Sequence, residues 1–194
     1  MNQLKHDIVN KVIGITGATN MLAETIDSVD RATRDAHSSN KWQRDVSYVS
    51  VVFGAEDGIP TKDRQVILPS LFSRVTEVLV KLPKAKLPNP AKVVKSYTAF
   101  IKDSGHTKAV LLGNVLHVSA SEIFNDLIIG GITRPNVTDD GYNSWIAQDY
   151  PNVIIYNAAA QVLTDLGDTS SIVNFQLGKT ALDRMLLSEE LVIL

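Results

Sequence analysis

The chain has 194 residues and no cysteine, with 19 basic and 21 acidic side chains and 44% hydrophobic residues. This length can bury a hydrophobic core without metals, and the lack of cysteine excludes a disulfide scaffold, a thiol nucleophile and a cysteine-ligated metal centre. Residues 1–11 lack the apolar stretch of a secretory signal, and no apolar run approaches the roughly 20 residues of a membrane helix. We therefore expect a soluble globular protein that does not contact membranes.

The net charge of −2 conceals an uneven distribution along the chain. Residues 59–108 carry ten basic and three acidic side chains, whereas residues 109–194 carry three basic and ten acidic ones. The small total argues against strong binding of a polyanion such as DNA. The opposite regional charges fit head-to-tail stacking on further copies or on a partner ring, and they equally fit two ordinary solvated surfaces.

The first forty residues carry helical periodicity. Apolar residues spaced by four predict a short helix over about 4–12, closed by Gly14 and Gly17. A longer helix is predicted to begin near Leu22 and to end at 37–40, where serine and asparagine favour a helix terminus.

After Trp42 the period of the apolar residues changes to two, which predicts strands. Six strands are expected, at 46–53, 64–68, 74–82, 109–112, 115–118 and 124–132. The pair Gly113-Asn114 predicts a hairpin with a type II′ turn, because glycine supplies the positive φ at its first position. The prolines of 83–90 predict an irregular loop. Since no helix of useful length separates the strands, we expect antiparallel pairing.

The chain returns to helix at Ser144. A short turn is predicted to end near Tyr150, and a helix to begin at Pro151, since proline favours the first helical position. A last helix is predicted from Ser170 to about Leu187. Its predicted buried face consists of Val173, Leu177, Ala181 and Met185.

These elements predict an α+β fold with two domains. The chain ends, 1–43 and 141–194, are expected to form a helical bundle. Residues 44–140 are expected to form an antiparallel β-sheet or sandwich inserted between them.

The segment Gly14–Ala23 is the motif that points to a cofactor. It resembles the glycine loop of short-chain NAD(P)-binding enzymes, where a strand precedes the loop and the pyrophosphate rests on the following helix N-terminus. However, Asn20 and Ala23 stand where that pattern has glycine, and repeated βαβ units are missing. Tyr97 and Lys102 are five residues apart, rather than four as in the catalytic Tyr-x-x-x-Lys. We therefore expect no cofactor and a glycine break between two helices.

No other pattern predicts catalysis. The four histidines lie too far apart in sequence for a helical or hairpin metal pair. Adjacent carboxylates at 56–57, 139–140 and 189–190 lie at turns or at the chain end, where a general acid with a raised pKa seldom forms. Nucleophile-elbow, phosphate-loop and zinc-protease motifs are absent. We therefore predict that the chain is not an enzyme and holds no metal.

Two tryptophans and the apolar chain end are the candidate contact residues. Trp42 closes the first helical region and Trp145 opens the second, and an acid follows each within a few residues. They either pack where bundle and insert meet or place an aromatic side chain at a subunit interface. The remaining candidates are Leu191, Val192, Ile193 and Leu194. This tail either folds back on the bundle or extends and adds a strand to a partner.

Four local sequence features occur in order along the chain. Residues 29–45 end a helix with Ala-Thr-Arg-Asp-Ala-His and continue to Lys-Trp-Gln-Arg-Asp; residues 65–75 read Gln-Val-Ile-Leu-Pro-Ser-Leu-Phe-Ser-Arg-Val. Residues 144–151 read Ser-Trp-Ile-Ala-Gln-Asp-Tyr-Pro, and residues 157–168 pass from Asn-Ala-Ala-Ala to Leu-Gly-Asp. Together they resemble the head-to-tail adaptor proteins (head completion or tail tubular A proteins) of tailed bacteriophages, most of all short-tailed ones.

This resemblance implies a virion structural protein that is assembled in the host cytoplasm and has no catalytic activity. It implies a dodecameric ring between the portal protein and the tail nozzle, tube or fibre proteins. The ring would line the channel through which DNA leaves, without sequence-specific binding. The bundle would dock on the portal with the apolar tail reaching into it, and the β insert would contact tail components.

Two alternatives stay open at this point. The first is another phage tail or head-completion subunit, such as a tail tube or terminator protein, which also assembles into rings. The second is a nicotinamide-dependent enzyme built on Gly14–Ala23.

Overall fold

The structure is a computed structural model that describes residues 1–39, 42–54, 61–68, 70, 72–102 and 106–190. It confirms the α+β class, with helices at both chain ends and sheets in the middle. The chain divides into a bundle unit, Met1–Asp45 with Arg134–Leu194, and a β unit, Val46–Thr133. The sequence-based insert extends further, to residue 140. In the structure Asp139 is bonded to the bundle residue Lys5.

Six helices are present in the described part of the chain: α1 (Gln3–Thr16), α2 (Leu22–Ser38), α3 (Tyr97–Lys102), α4 (Trp145–Asp149), α5 (Pro151–Asp165) and α6 (Thr169–Glu190). The first helix was predicted to close at Gly14 and Gly17, but it continues through Gly14. It ends at Gly17, whose left-handed φ of 69° lets its N–H reach the carbonyl of Ile13. The short helix before Pro151 and the new helix that begins there are confirmed.

Helix α5 forms the centre of the bundle and packs against α1, α2, α4 and α6. Its buried side chains lie on several faces, which fits an alanine-rich sequence that lets neighbouring helices approach. The most enclosed residues of this core include Val9, Val12, Val29, Ile146, Ile154, Ala158 and Val162.

The predicted buried face of α6 is wrong. Val173, Leu177 and Met185 are 56%, 65% and 43% exposed, and Ala181 is exposed as well. The side of α6 that packs on the core carries Phe175, Leu182, Leu186 and Leu187 instead. Apolar residues occur on both sides of this helix, and packing on α5 selects the side with the larger side chains.

Eight strands are present in the described part of the β unit: β1 (Val46–Val52), β2 (Asp63–Ile67), β3 (Phe72–Lys81), β4 (Asn89–Pro90), β5 (Lys92–Val94), β6 (Lys108–Leu112), β7 (Val115–Ser119) and β8 (Asp126–Thr133). They form two four-stranded sheets, in the orders β1-β8-β3-β4 and β2-β7-β6-β5. The six predicted strands are all found. Their inward side chains, such as Val78, Leu116, Leu127 and Ile129, form the core of this unit.

The pairing of the strands differs from the prediction in one place. Strand β5 is parallel to β6, and helix α3 lies in the connection between them. A parallel pair needs such a crossover. Strand β5 has only three residues and follows a proline-rich stretch, so the sequence shows no alternation of apolar residues that would predict it. The predicted loop at 83–90 is likewise interrupted, since Pro90 of β4 pairs with Leu79.

The hairpin between β6 and β7 follows the sequence signal. Gly113 has φ of 62°, and no described residue other than glycine has a positive φ. Type I′ turns need a positive φ at both central residues, whereas type II′ turns need it only at the first. Because Gly113 has a positive φ and Asn114 does not, the turn is of type II′.

Candidate functional site

Trp42 and Trp145 pack against each other inside the bundle unit. Their rings meet edge to face with centroids 5.9 Å apart, and Trp42 is 1% exposed. The indole N–H of Trp42 donates to the carbonyl of Ala36, and the Arg44 guanidinium lies 4.5 Å from the Trp145 ring. The two tryptophans are 103 residues apart in the sequence. Their contact therefore joins the segment after α2 to the start of α4.

A buried carboxylate lies beside this aromatic pair. Asp45 accepts a hydrogen bond from the indole N–H of Trp145 (2.7 Å) and one from Nδ1 of His37 (2.8 Å). His37 lies in the last turn of α2, and Asp45 ends a 3₁₀ turn, Gln43–Asp45. The 3₁₀ turn follows α2 in the chain and places the Asp45 carboxylate beside the last turn of that helix.

Ser144 completes a serine–histidine–aspartate arrangement. Its Oγ lies 2.9 Å from Nε2 of His37, so the imidazole bridges the hydroxyl and the Asp45 carboxylate. Ser144 is the N-cap of α4, and its Oγ accepts from the backbone N–H of Ala147 (3.1 Å). A carboxylate only accepts hydrogen bonds, so Nδ1 of His37 carries a hydrogen and donates it to Asp45.

The connectivity of these groups is that of a catalytic triad, but their environment differs. His37, Asp45 and Ser144 are 6%, 3% and 2% exposed, so a substrate carbonyl has no path to Oγ in this conformation. The N–H of Ala147, a helix N-terminal donor of the kind that forms oxyanion holes, is bonded to Oγ itself. The arrangement acts as a polar tie between α2, the 3₁₀ turn and α4.

A second buried tie joins α1 to α2 and to the segment before α4. Nζ of Lys5, a residue 1% exposed, lies 2.7 Å from Oδ1 of Asp30 and 2.8 Å from Oδ1 of Asp139. It also donates to the carbonyl of Val137. The hydrogen bond and charge of Lys5 lower the pKa of Asp139, which is itself exposed. Two hydrogen-bond acceptors and the paired charge of Asp30 therefore surround the buried ammonium group, as burial of a charge requires.

Tyr142 extends the same region. Its hydroxyl lies 2.7 Å from Oγ1 of Thr33 on α2, and burial raises the pKa of the phenol to about 12. The side chain therefore stays protonated at any physiological pH and joins α2 to the segment before α4 through this hydrogen bond.

The sequence identified the two tryptophans but missed His37, Asp45 and Ser144 as a group. One signal was present, since Asp45 is the acid that follows Trp42 and Ser144 directly precedes Trp145. No spacing rule connects residues 107 positions apart, the separation of His37 and Ser144.

The remaining sequence-based candidates have simpler outcomes. Leu191, Val192, Ile193 and Leu194 lie outside the described residues. The segment before the glycine loop is the helix α1, so the strand that a dinucleotide-binding loop requires is missing there. Within the described ranges, no group of three histidine or acidic side chains could hold a metal ion.

Comparison with known proteins gives no identification. No protein-family model matches the chain, and no curated protein matches it either. Among the helices in the described part of the chain, none combines the length and apolar character needed to cross a membrane.

Proposed function

We propose that this chain is a virion structural protein of a tailed bacteriophage, a head-to-tail adaptor. Copies of it form a ring, on the pattern of the family a dodecamer, between portal and tail and line the DNA channel. The bundle unit docks on the portal, and the β unit contacts tail components. The protein has no catalytic role in this proposal.

One observation carries the proposal. Two of the four sequence features that resemble adaptor proteins, 29–45 and 144–151, supply the residues that meet in the buried tie: His37, Trp42, Asp45, Ser144 and Trp145. A third feature, 157–168, supplies Ala158 and Ala159 to the same core. The resemblance thus falls on residues that build one bundle rather than on unrelated surface positions, as a shared fold would require.

The surface of the chain also supports a role in an assembly. Large apolar side chains on both units are more than half exposed, among them Tyr48, Val52, Ile67, Leu87, Ile101, Val173 and Leu177. Exposed large apolar side chains mark an interaction site where they form a contiguous patch, so these positions are candidates for contacts with other molecules. The net charge of −2 suits a conduit that DNA must pass without being held.

Binding to the portal protein encoded in the same genome tests the proposal. We expect light scattering to show a stable complex with several copies of this chain per portal ring. A truncated chain that lacks residues 188–194 should bind the portal more weakly if the apolar tail reaches into it. A chain that ignores the portal, and instead joins tail tube subunits, would support the alternative of another tail component.

A serine hydrolase is the second candidate, because one observation favours it: the connectivity of Ser144, His37 and Asp45. The test is labelling with a fluorophosphonate probe, with Ser144→Ala as the matched control. We expect no labelling of the folded protein, since Oγ is buried and bonded on both sides. Labelling that disappears in the Ser144→Ala variant would replace the adaptor proposal by an enzymatic one.

A further inference from the structure

Strand β1 differs from the other strands that lie at the edges of the two described sheets. Proteins commonly protect a sheet edge from unwanted pairing by a very short strand, by proline, or by charged side chains, including inward-pointing ones. Strand β4 has two residues and contains Pro90, and β5 has three residues and contains Lys92. Strand β2 contains Asp63 and Arg64. Strand β1 has seven residues, Val46–Val52, and contains neither proline nor a charged residue, so it lacks each of these protections.

One row of backbone groups along β1 has no partner strand among the described residues. Phe53, directly after β1, donates its N–H to the carbonyl of Asn125, directly before β8. Backbone groups of successive residues point to opposite sides of a strand, so the odd-numbered residues of 47–51 bond to β8. Strand β1 is the first in the order β1-β8-β3-β4, so the groups of the even-numbered residues of 46–52 point away from the sheet.

Both faces of β1 carry apolar side chains next to this row. On the outer face, Tyr48 and Val52 are 57% and 68% exposed, and the small side chain of Ser50 lies between them. On the inner face, Val49 and Val51 pack against the core of the β unit but remain partly exposed. A strand added at this edge would therefore cover apolar surface on both faces while it bonds to the backbone groups.

The charged side chains that share the outer face already have partners. Asp126 lies opposite Val52 and pairs with Lys81 at 3.6 Å. Glu77 accepts a hydrogen bond from the hydroxyl of Tyr48. An added strand would therefore meet no unpaired charge here, which favours an uncharged segment over a charged one.

We propose that β1 accepts an extended segment of a second protein, which adds to the sheet β1-β8-β3-β4 as a further strand. Recognition of this kind takes its affinity from main-chain hydrogen bonds and its specificity from alternate side chains. The segment is uncharged and pairs along the seven residues of β1, a length of about 23 Å. Its side chain opposite Ser50 is large and apolar, because it lies between Tyr48 and Val52.

A further copy of this chain is a less suitable source of the segment, for two reasons. The other edge strands carry proline, a charge or both a charge and a short length, so none offers β1 a matching strand. Pairing of β1 with the same strand of another copy joins identical edges and needs a two-fold axis, whereas the proposed ring relates neighbours by rotation about one axis only. In this second respect the inference rests on the proposed function.

A synthetic peptide is the probe for this edge. Its paired segment is Thr-Val-Leu-Val-Thr-Val-Thr, followed by two lysines for solubility. In antiparallel orientation the leucine lies opposite Ser50 and the valines lie on the inner face. Two N-methylated forms keep these side chains. The first blocks the N–H groups of the third and fifth residues, which face β1, and the second blocks those of the second and fourth residues, which face solvent.

Hydrogen exchange of the ¹⁵N-labelled full chain, followed by NMR, shows which backbone groups the peptide covers. We expect saturating peptide to slow exchange at Tyr48, Ser50 and Val52 by about tenfold or more. The peptide methylated on its solvent side should do the same, and the peptide methylated on the side of β1 should not bind. This comparison needs no variant of the protein, so it does not depend on how a substitution affects folding.

A matched pair of variants adds an independent test. Ser50→Pro removes an N–H that β8 does not use, and edge strands tolerate proline at such positions. It should weaken peptide binding about tenfold or more, since one hydrogen bond is lost and the ring obstructs the edge. The control Gln65→Pro removes an N–H of β2 that points away from β7, because the flanking residues Lys62 and Leu68 bond to the β7 side. The control should bind like the wild type, and circular dichroism checks both folds.

Several results would overturn the proposal. They are no binding of the peptide, equal binding of both methylated forms, unchanged binding by folded Ser50→Pro, or slowed exchange at Gln65 and Ile67 of β2 instead of β1. Sedimentation of the chain alone covers the remaining occupant: self-association that Ser50→Pro abolishes and Gln65→Pro retains would assign β1 to a second copy. Portal binding, measured in parallel, separates the two proposals, because the expected methylation pattern in a chain that ignores the portal would support the strand acceptor and refute the adaptor.

Discussion

Replacing Asp45 by alanine tests whether the buried tie holds the bundle together. The carboxylate is 3% exposed and accepts hydrogen bonds from His37 and from the indole of Trp145. Alanine leaves the buried N–H of His37 and the partly buried N–H of Trp145 without this acceptor, and each such group costs about 1–3 kcal/mol. We therefore expect a loss of about 4 kcal/mol from a total stability on the order of 5–15 kcal/mol.

Two further variants calibrate this value. Asp45→Asn keeps the shape and one carbonyl oxygen but turns an amide toward the second donor, so about half of the loss is expected. Asp149→Ala removes an exposed carboxylate that pairs with Arg44, and such pairs contribute about 0–1 kcal/mol.

Urea denaturation followed by tryptophan fluorescence measures the three free energies of unfolding. The chain has two tryptophans, and both lie in the bundle unit, so the signal reports the unit that contains the tie. Far-UV circular dichroism follows the whole chain alongside it. If Asp45→Ala unfolds within 1 kcal/mol of the wild type, the network does not stabilise the bundle and the reasoning fails.

Three further predictions concern other contacts. Gly131→Ala should destabilise the β unit by about 1–3 kcal/mol, because its Cβ would lie 2.7 Å from the carbonyl oxygen of Arg74, whereas Gly14→Ala, with open space in α1, should stabilise by about 0.5–1 kcal/mol; denaturant midpoints check both. Lys5→Met should cost about 3 kcal/mol, because it leaves the carboxylate of Asp30 without its ion pair. The lowered pKa of Asp139 contributes stability above the unfolded value of 3.8, and this stability is lost as the pH falls. A curve of stability against pH should therefore be flatter on its acid side in this variant than in the wild type. Tyr142→Phe should cost about 1 kcal/mol through the lost hydrogen bond, measured by thermal unfolding.

The periodicity of the sequence predicts most of this fold. The apolar residues recur with a period of two in the strands of the β unit and of 3.6 in the helices of the bundle. Gly17 ends α1, Gly113 forms the hairpin turn and Pro151 begins α5, as the sequence predicts. These features are local, because each depends on backbone preferences of a few neighbouring residues. The parallel pairing of β5 is not local, and its three residues give no alternation to detect.

The errors arise where a helix or a polar side chain has more than one possible partner. Helix α6 has apolar residues on two sides, so its period predicts a helix without deciding between the face of Val173 and that of Phe175. The sequence shows His37 as a single histidine, and only the return of the chain at Ser144 gives its ring a second partner.

The buried tie has the connectivity of a catalytic triad but the surroundings of a structural contact. Both ring nitrogens of His37, both carboxylate oxygens of Asp45 and the hydroxyl of Ser144 have protein partners. A triad that catalyses keeps its nucleophile open to a substrate, whereas here the three groups are satisfied by each other and by the backbone. The same chemistry therefore fixes α4 against α2, so these three groups stabilise the bundle instead of facing solvent.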